Sequence, residues 1–247
     1  MKFKGKVVLI TGASKGLGKA LAETLAKEGI HVFICARDKS KLKGVCNSII
    51  RNHGRCEYFI VDVTKRKQVE KFVDTVYRSA GKIDILLNNA GTIHPKKFIE
   101  NITDKEYESC MKTNINSVFY FMQKVIPLMK KQNEGMVINI SSGAGKRGYG
   151  QLSVYSASKF AVQGLTQSVA WELRGTKVSC ISVSPGGINT RMREKIFGKK
   201  DSASQQDPKV VANIIKKIIE GTMQVSNGED IEIRGGKVTA ISSHIGA

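Results

Sequence analysis

Seven short apolar runs, each followed by residues with helical periodicity, recur along nearly the whole chain, and this alternation limits the possible folds more than any other feature. The runs occupy 6–10, 30–35, 58–61, 83–87, 136–140, 178–183 and 231–233. They are mostly Val, Ile and Leu, as expected of strands buried on both faces. After the first run, Leu17, Ala20, Leu21, Thr24 and Leu25 return at helical spacing and stop at Gly29, a residue suited to ending a helix. Val69, Phe72, Val73 and Val76 mark one face of another helix, closed by Gly81. Parallel neighbours require crossover connections, so the rhythm predicts an α/β fold, a doubly wound sheet of about seven parallel strands with helices on both faces. No linker, repeat or low-complexity tract divides the 247 residues, and a single domain over 1–247 is expected. Only 187–208 breaks the rhythm. It is polar, basic and placed just after a strand, where ligands bind in such sheets, so it is read as a substrate-covering loop.

Composition removes several classes. No run reaches the roughly 20 apolar residues of a membrane span, and Met1-Lys-Phe-Lys-Gly-Lys6 enters the first strand without a leader-like apolar region, so no membrane span and a cytoplasmic location are expected. Five cysteines, odd in number and without Cys-x-x-Cys, indicate neither a disulfide framework nor a zinc site, and no metal is expected. Cys35 and Cys180 sit in apolar runs and read as core thiols. Forty Lys and Arg against 21 Asp and Glu give a formal charge of +19, which fits nucleic acid, an acidic partner, an anionic ligand or solubility. No helix-turn-helix, zinc knuckle or aromatic-rich basic strand supports nucleic acid, and none is expected as a partner.

The first strand ends in Thr11-Gly-Ala-Ser-Lys-Gly-Leu-Gly18. Glycines at 12, 16 and 18 suit a tight strand-to-helix turn that admits a pyrophosphate, and the following helix start offers N–H donors to phosphate. The spacing is Gly-x-x-x-Gly-x-Gly. That motif, with Asp62-Val63, Asn88-Asn-Ala-Gly91 and Pro185-Gly186 after later strands, resembles the short-chain dehydrogenase/reductase family over essentially the whole chain. The resemblance implies a Rossmann-like domain, an NAD(P)(H) cofactor and a catalytic tetrad. It further implies cofactor contacts from Gly12, Ser14, Lys15, Gly16, Leu17, Gly18, Asp62, Val63, Asn89, Ala90, Gly91, Pro185, Gly186, Ile188 and Thr190, with Tyr155 and Lys159 beside the nicotinamide.

The family requires a Tyr and a Lys one helical turn apart. Two such pairs exist. Tyr120 and Lys124 lie in an apolar helix pattern that follows no strand end and read as packing, whereas Tyr155 and Lys159 open a helix pattern after the fifth strand. Ser142 stands thirteen residues before Tyr155, the family's interval. Ser142 would hold the substrate oxygen, Tyr155 exchange its proton, and Lys159 lower the phenol from its ordinary value near 10. Asn114 matches the fourth member, implied to hold a water in a proton relay, with Asn116 the nearby decoy and Ser141 the decoy for Ser142. Tyr149 reads as lining the substrate site, and His94 as a solvated loop residue.

The second strand ends Cys35-Ala-Arg37, with Ala36 where an NAD-preferring site places an acid, and Arg37 and Lys15 are placed to meet a 2′-phosphate. NADP(H) is therefore expected over NAD(H), and Asp38 reads as a helix N-cap. The expected function is NADPH-dependent reduction of a carbonyl. The ending Asn227 to Gly236 resembles 3-oxoacyl-(acyl-carrier-protein) reductases and implies a homotetramer or homodimer. Other alcohol, sugar or steroid dehydrogenases of the family, and a non-catalytic NADP(H)-binding regulator, stay open. The basic cluster from Arg191 to Lys200 adjoins the expected substrate mouth and hints at an anionic substrate or one on an acidic carrier or coenzyme A.

Overall fold

A computed structural model describes Phe3 and residues 5–243; Met1, Lys2 and Lys4, on which the reading of the N-terminus partly rests, lie outside the described residues. The strands are β1 (Val7–Thr11), β2 (His31–Ala36), β3 (Arg55–Ile60), β4 (Ile85–Asn88), β5 (Gly135–Ile140), β6 (Val178–Pro185), β7 (Glu229–Arg234) and β8 (Lys237–Ser243). They form one sheet in the order β3-β2-β1-β4-β5-β6-β7-β8. Seven are parallel, as expected, and β8 adds an antiparallel edge by a hairpin from β7. That edge strand was not legible beforehand, because Lys237–Ser243 is short of apolar residues and largely exposed.

The helices are α1 (Gly16–Lys27), α2 (Lys39–Arg51), α3 (Arg66–Ala80), α4 (Asp104–Met111), α5 (Ser117–Gln132), α6 (Ser153–Glu172), α7 (Arg191–Phe197), α8 (Lys199–Ala203) and α9 (Pro208–Ile219). Alternation along β1 sends Val8 and Ile10 into one core, with residues of α1, α2 and α9, and Val7 and Leu9 into the other, with residues of α3, α5 and α6. Both faces are covered, which is why the strands read as continuous apolar runs. The segment 187–208 is not a plain loop: α7 and α8 lie within it, separated by Gly198 at φ +88°.

The strand order reverses between β1 and β4, so the carboxyl ends of these two strands open a crevice between the connections that leave on opposite faces. Two hydrogen-bonded links fix that crevice. Asn88 Nδ2 donates to Asn139 Oδ1 across β4 and β5 at 2.8 Å, and Asn139 Nδ2 donates to Thr166 Oγ1 of α6 at 2.9 Å. Each of the five cysteines is buried and free, and burial pushes the Cys180 thiol up to about 12.

Candidate active site

The crevice is a cleft of about 900 Å³. At one end stands the glycine turn. Gly12 and Gly16 have φ of +67° and +56°, conformations that favour glycine. A Cβ on Gly12 would lie 2.8 Å from Ala90 Cα, and one on Gly18 would lie 2.5 Å from Gly12 O, so both positions are closed to any side chain. Thr11 and Asn89 lace the turn to the end of β4: Asn89 N and Ala90 N donate to Thr11 Oγ1 at 3.0 and 2.9 Å, and Asn89 Nδ2 donates to Thr11 O at 2.8 Å. Helix α1 begins there with no side-chain cap and no acid in its first turn, leaving its positive end to the cleft.

Cations gather beside this end. Burial and the charges of Lys195, Lys41, Arg191 and Arg37 hold the Lys15 ammonium below its ordinary value. Asp38 does not neutralise the group as a whole: its carboxylate caps α2 by accepting from Lys41 N at 3.0 Å and also pairs with Lys41 Nζ. Asp62 accepts from Thr64 N at 3.0 Å and from Thr64 Oγ1 at 2.8 Å. Burial opposes its ionisation, but those bonds and Arg37 keep it below the usual carboxylate range. Thus the expected cofactor contacts Gly12, Ser14, Lys15, Gly16, Leu17, Gly18, Arg37, Asp62, Val63, Asn89, Ala90, Gly91, Pro185, Gly186, Ile188 and Thr190 all line one cleft. The closed glycines, the uncapped helix start and the cations suit a dinucleotide with phosphates on α1.

At the other end are Ser142, Tyr155 and Lys159. Ser142 follows β5, accepts from Ala144 N at 3.1 Å and bonds the Tyr155 hydroxyl. Ser141 instead donates to Lys159 O at 3.0 Å and anchors the loop to α6. Lys159 is 5% exposed, donates from Nζ to Ile140 O at 2.8 Å, and is pulled down to about 8 by burial. Tyr155 departs from expectation. Desolvation raises its phenol above the ordinary value, against the lowering effects of Ser142 and Arg193. A Lys one turn away does not by itself reverse the cost of burying a phenolate, because desolvation penalises the charged form of both groups.

Asn114 is fully buried and does not line the cleft. It lies in a π-helical turn, Lys112–Asn116, that widens the junction between α4 and α5. Its Oδ1 accepts from Thr92 N at 2.7 Å, and its Nδ2 donates to Thr92 O and Ser158 Oγ, each at 2.9 Å. A Cβ on Gly91 would lie 3.5 Å from Asn114 Oδ1 and 3.6 Å from Lys159 Nζ, so both side chains approach the backbone at Gly91. The Tyr120 and Lys124 pair sits apart on α5, where Lys124 pairs with Asp74 of α3 at 2.8 Å.

Two residues differ from their sequence reading or escaped it. His94 is not solvated: it is 3% exposed, with Nδ1 2.6 Å from Pro95 O. Arg234 went unnoticed because it ends β7, far along the chain, yet it lines the cleft beside Gly143. Tyr149 lines the cleft as expected, and Arg193 and Lys195 of α7 face it as well. Among the described residues, no three His, Cys, Asp or Glu side chains are grouped to hold a metal, and no helix is long and apolar enough to cross a membrane.

Comparison with known proteins agrees with this geometry. The family model described as short chain dehydrogenase matches residues 6–201. The NADPH-dependent pterin aldehyde reductase of Arabidopsis thaliana is 37% identical over 201 residues, 81% of this chain and 82% of its own. A 3-oxoacyl-(acyl-carrier-protein) reductase of Thermotoga maritima is 33% identical over 246 residues, 96% of this chain and 100% of its own. Among solved structures, levodione reductase superposes with a TM-score of 0.89 at 28% identity, over 95% of this chain and 98% of that one. A matching family model over most of the chain, a full-length relative and a shared cleft lead to one conclusion: this chain is an oxidoreductase of the short-chain dehydrogenase family.

Proposed function

We propose that the protein is an NADP(H)-dependent carbonyl reductase that forms an alcohol from a ketone and runs in reverse as an alcohol dehydrogenase. The dinucleotide supplies hydride to the carbonyl carbon when bound. Tyr155 gives its proton to the carbonyl oxygen, and Ser142 fixes that oxygen by a hydrogen bond. Lys159, whose ammonium has been brought down to about 8, holds a proton at neutral pH and releases it close to the operating range, which suits a relay that resupplies Tyr155. Asn114 positions the backbone at Thr92 and the Ser158 side chain behind that relay.

The observation that carries the cofactor choice is the cation group at the end of β2. Lys15, Arg37 and Lys41 surround the place where a 2′-phosphate would lie, Ala36 offers no carboxylate, and Asp38 is engaged by Lys41. The Arabidopsis relative's name carries the same preference. We include self-association in the proposal, since Phe119 of α5 and Phe160 and Trp171 of α6 are 42–45% exposed.

The test follows oxidation of NADPH and of NADH with diketones, quinones, sugars and acetoacetyl thioesters. NADPH should be used at least tenfold faster. Tyr155→Phe should lose about a hundredfold to ten-thousandfold in turnover while still binding NADPH. Unchanged carbonyl-dependent oxidation in that variant would remove Tyr155 from the mechanism.

A further inference from the structure

A guanidinium group sits where a neutral ketone has no use for one. Arg234, at the end of β7, places Nη2 and Nη1 3.3 and 3.5 Å from the point a Cβ on Gly143 would occupy, and the Tyr149 hydroxyl lies 3.6 Å from the same point. Gly143 directly follows Ser142, so these groups converge on the backbone beside the residue that would hold the reacting oxygen. Tyr149 is clamped between two cations. Its hydroxyl accepts from Arg147 Nε at 3.1 Å and is also hydrogen-bonded to Arg234. The Arg147 guanidinium carbon stands 5.0 Å from the Tyr149 ring centre.

The surrounding acids leave this group positive. Glu232 binds Arg234 through one oxygen, at 3.4 Å from Nε and 3.2 Å from Nη2. Asp201 is taken by Arg193 at 2.6 Å, and Asp230 faces Lys146 at 3.1 Å. Among the described residues, Arg147 has no carboxylate within ion-pair distance. Arg234 lines the cleft, and the exposed Arg147 is joined to it through Tyr149; a planar, always-charged fork matches a carboxylate in shape as well as in sign.

We propose that Arg234 and Arg147, with Tyr149 between them, bind a carboxylate of the substrate, which makes 2- and 3-oxo acids the preferred carbonyl compounds. This rests on the carbonyl reductase reading above. The guanidinium lies beside Gly143, the residue after Ser142, which favours acids whose carboxylate is close to the ketone. A thioester of the same acid has no charge at that place.

The experiment compares each acid with its neutral counterpart: acetoacetate with ethyl acetoacetate and with its N-acetylcysteamine thioester, and pyruvate with methyl pyruvate. Rates are followed by NADPH oxidation. In the wild type, kcat/KM for one acid of these sets should exceed that of its neutral counterparts at least tenfold. Arg234→Gln and, separately, Arg147→Gln should cut that ratio tenfold to a hundredfold, chiefly through KM. Arg234→Lys should recover part of the loss. Equal or better use of the esters and thioester by the wild type, or acid and ester falling together in both Gln variants, overturns the assignment.

A second readout does not depend on turnover. Malonate, which has no ketone, is titrated calorimetrically into the protein with NADP+ present. Binding that weakens tenfold or more in both Gln variants supports the subsite even if no carbonyl compound is reduced, in which case the reductase reading alone fails. Turnover of neutral ketones with no malonate binding leaves the reductase reading intact and removes the subsite.

Discussion

Gly18→Ala tests the glycine turn most sharply, because the defect it should cause is steric. Gly18 does not have a positive φ, so alanine meets no conformational penalty there. The added methyl would instead lie 2.4 Å from Asn89 Nδ2, 2.5 Å from Gly12 O and 2.9 Å from Ala13 Cα. The last two are backbone atoms of the turn and have no rotamer through which to yield. Overpacking of this kind costs about 1–3 kcal/mol. Displacing Asn89 also breaks its bonds to Thr11 O and Gly12 O, at 2.8 and 3.3 Å, for about 1 kcal/mol each. The sum is about 3–5 kcal/mol, a fall in Tm on the order of 10 °C for a chain of this size. Gly44 in α2 is the internal control, since a Cβ there meets nothing within 4 Å. Gly44→Ala should stabilise by about 1 kcal/mol from helix propensity. Thermal unfolding and NADPH titration of both variants check the pair. A Gly18→Ala protein that melts with the wild type and binds NADPH equally would refute the close-packed turn.

Three further outcomes follow from the same structure. Lys159 has a pKa of about 8 when folded against 10.5 when unfolded, so between those values the unfolded chain holds a proton that the folded chain has lost, and stability rises with pH. Relative to Lys159→Met, urea unfolding should show the wild type gaining up to about 3 kcal/mol across that window, and a flat difference would mean the amine is not desolvated. Replacing Lys15 and Arg37 together by Ser should cut the NADPH to NADH preference at least tenfold and flatten its salt dependence, measured as a ratio of kcat/KM at two ionic strengths. Asp230 Oδ1 accepts from Gln163, Ser182 and Ser184 at 2.8, 2.6 and 2.8 Å in the core. Asp230→Ala should therefore cost about 3–5 kcal/mol by leaving buried donors unmatched, read as the shift in denaturant midpoint.

How much of this was legible beforehand depended on the range over which each signal acts. Strand and helix patterns are local: apolar runs and returns at i and i+4 report burial directly, so seven strands and their order along the chain were readable. Even so, β3 begins at Arg55 where the apolar run begins at 58, because charged Arg55 and Glu57 flank the buried Cys56 in the residues that pair with β2. Asp38 as a cap was readable too, since capping depends only on neighbours. The hairpin strand β8 was not, because its pairing is with β7 and its composition carries no core signal.

Residue type and spacing alone gave the βα alternation, the glycine turn and the order Asn114, Ser142, Tyr155, Lys159. Long-range packing, not local pattern, buries Asn114 away from the cleft lining, buries His94 and lifts Tyr155 by desolvation. It also decided that α7 brings Arg191 and Lys195 to Lys15, and that β7 brings Arg234 to the backbone beside Ser142. The physical reason is common to all of these. Burial, and the field that one charge exerts on another, depend on separation in space, and a linear pattern fixes that separation only within a helical turn or a strand.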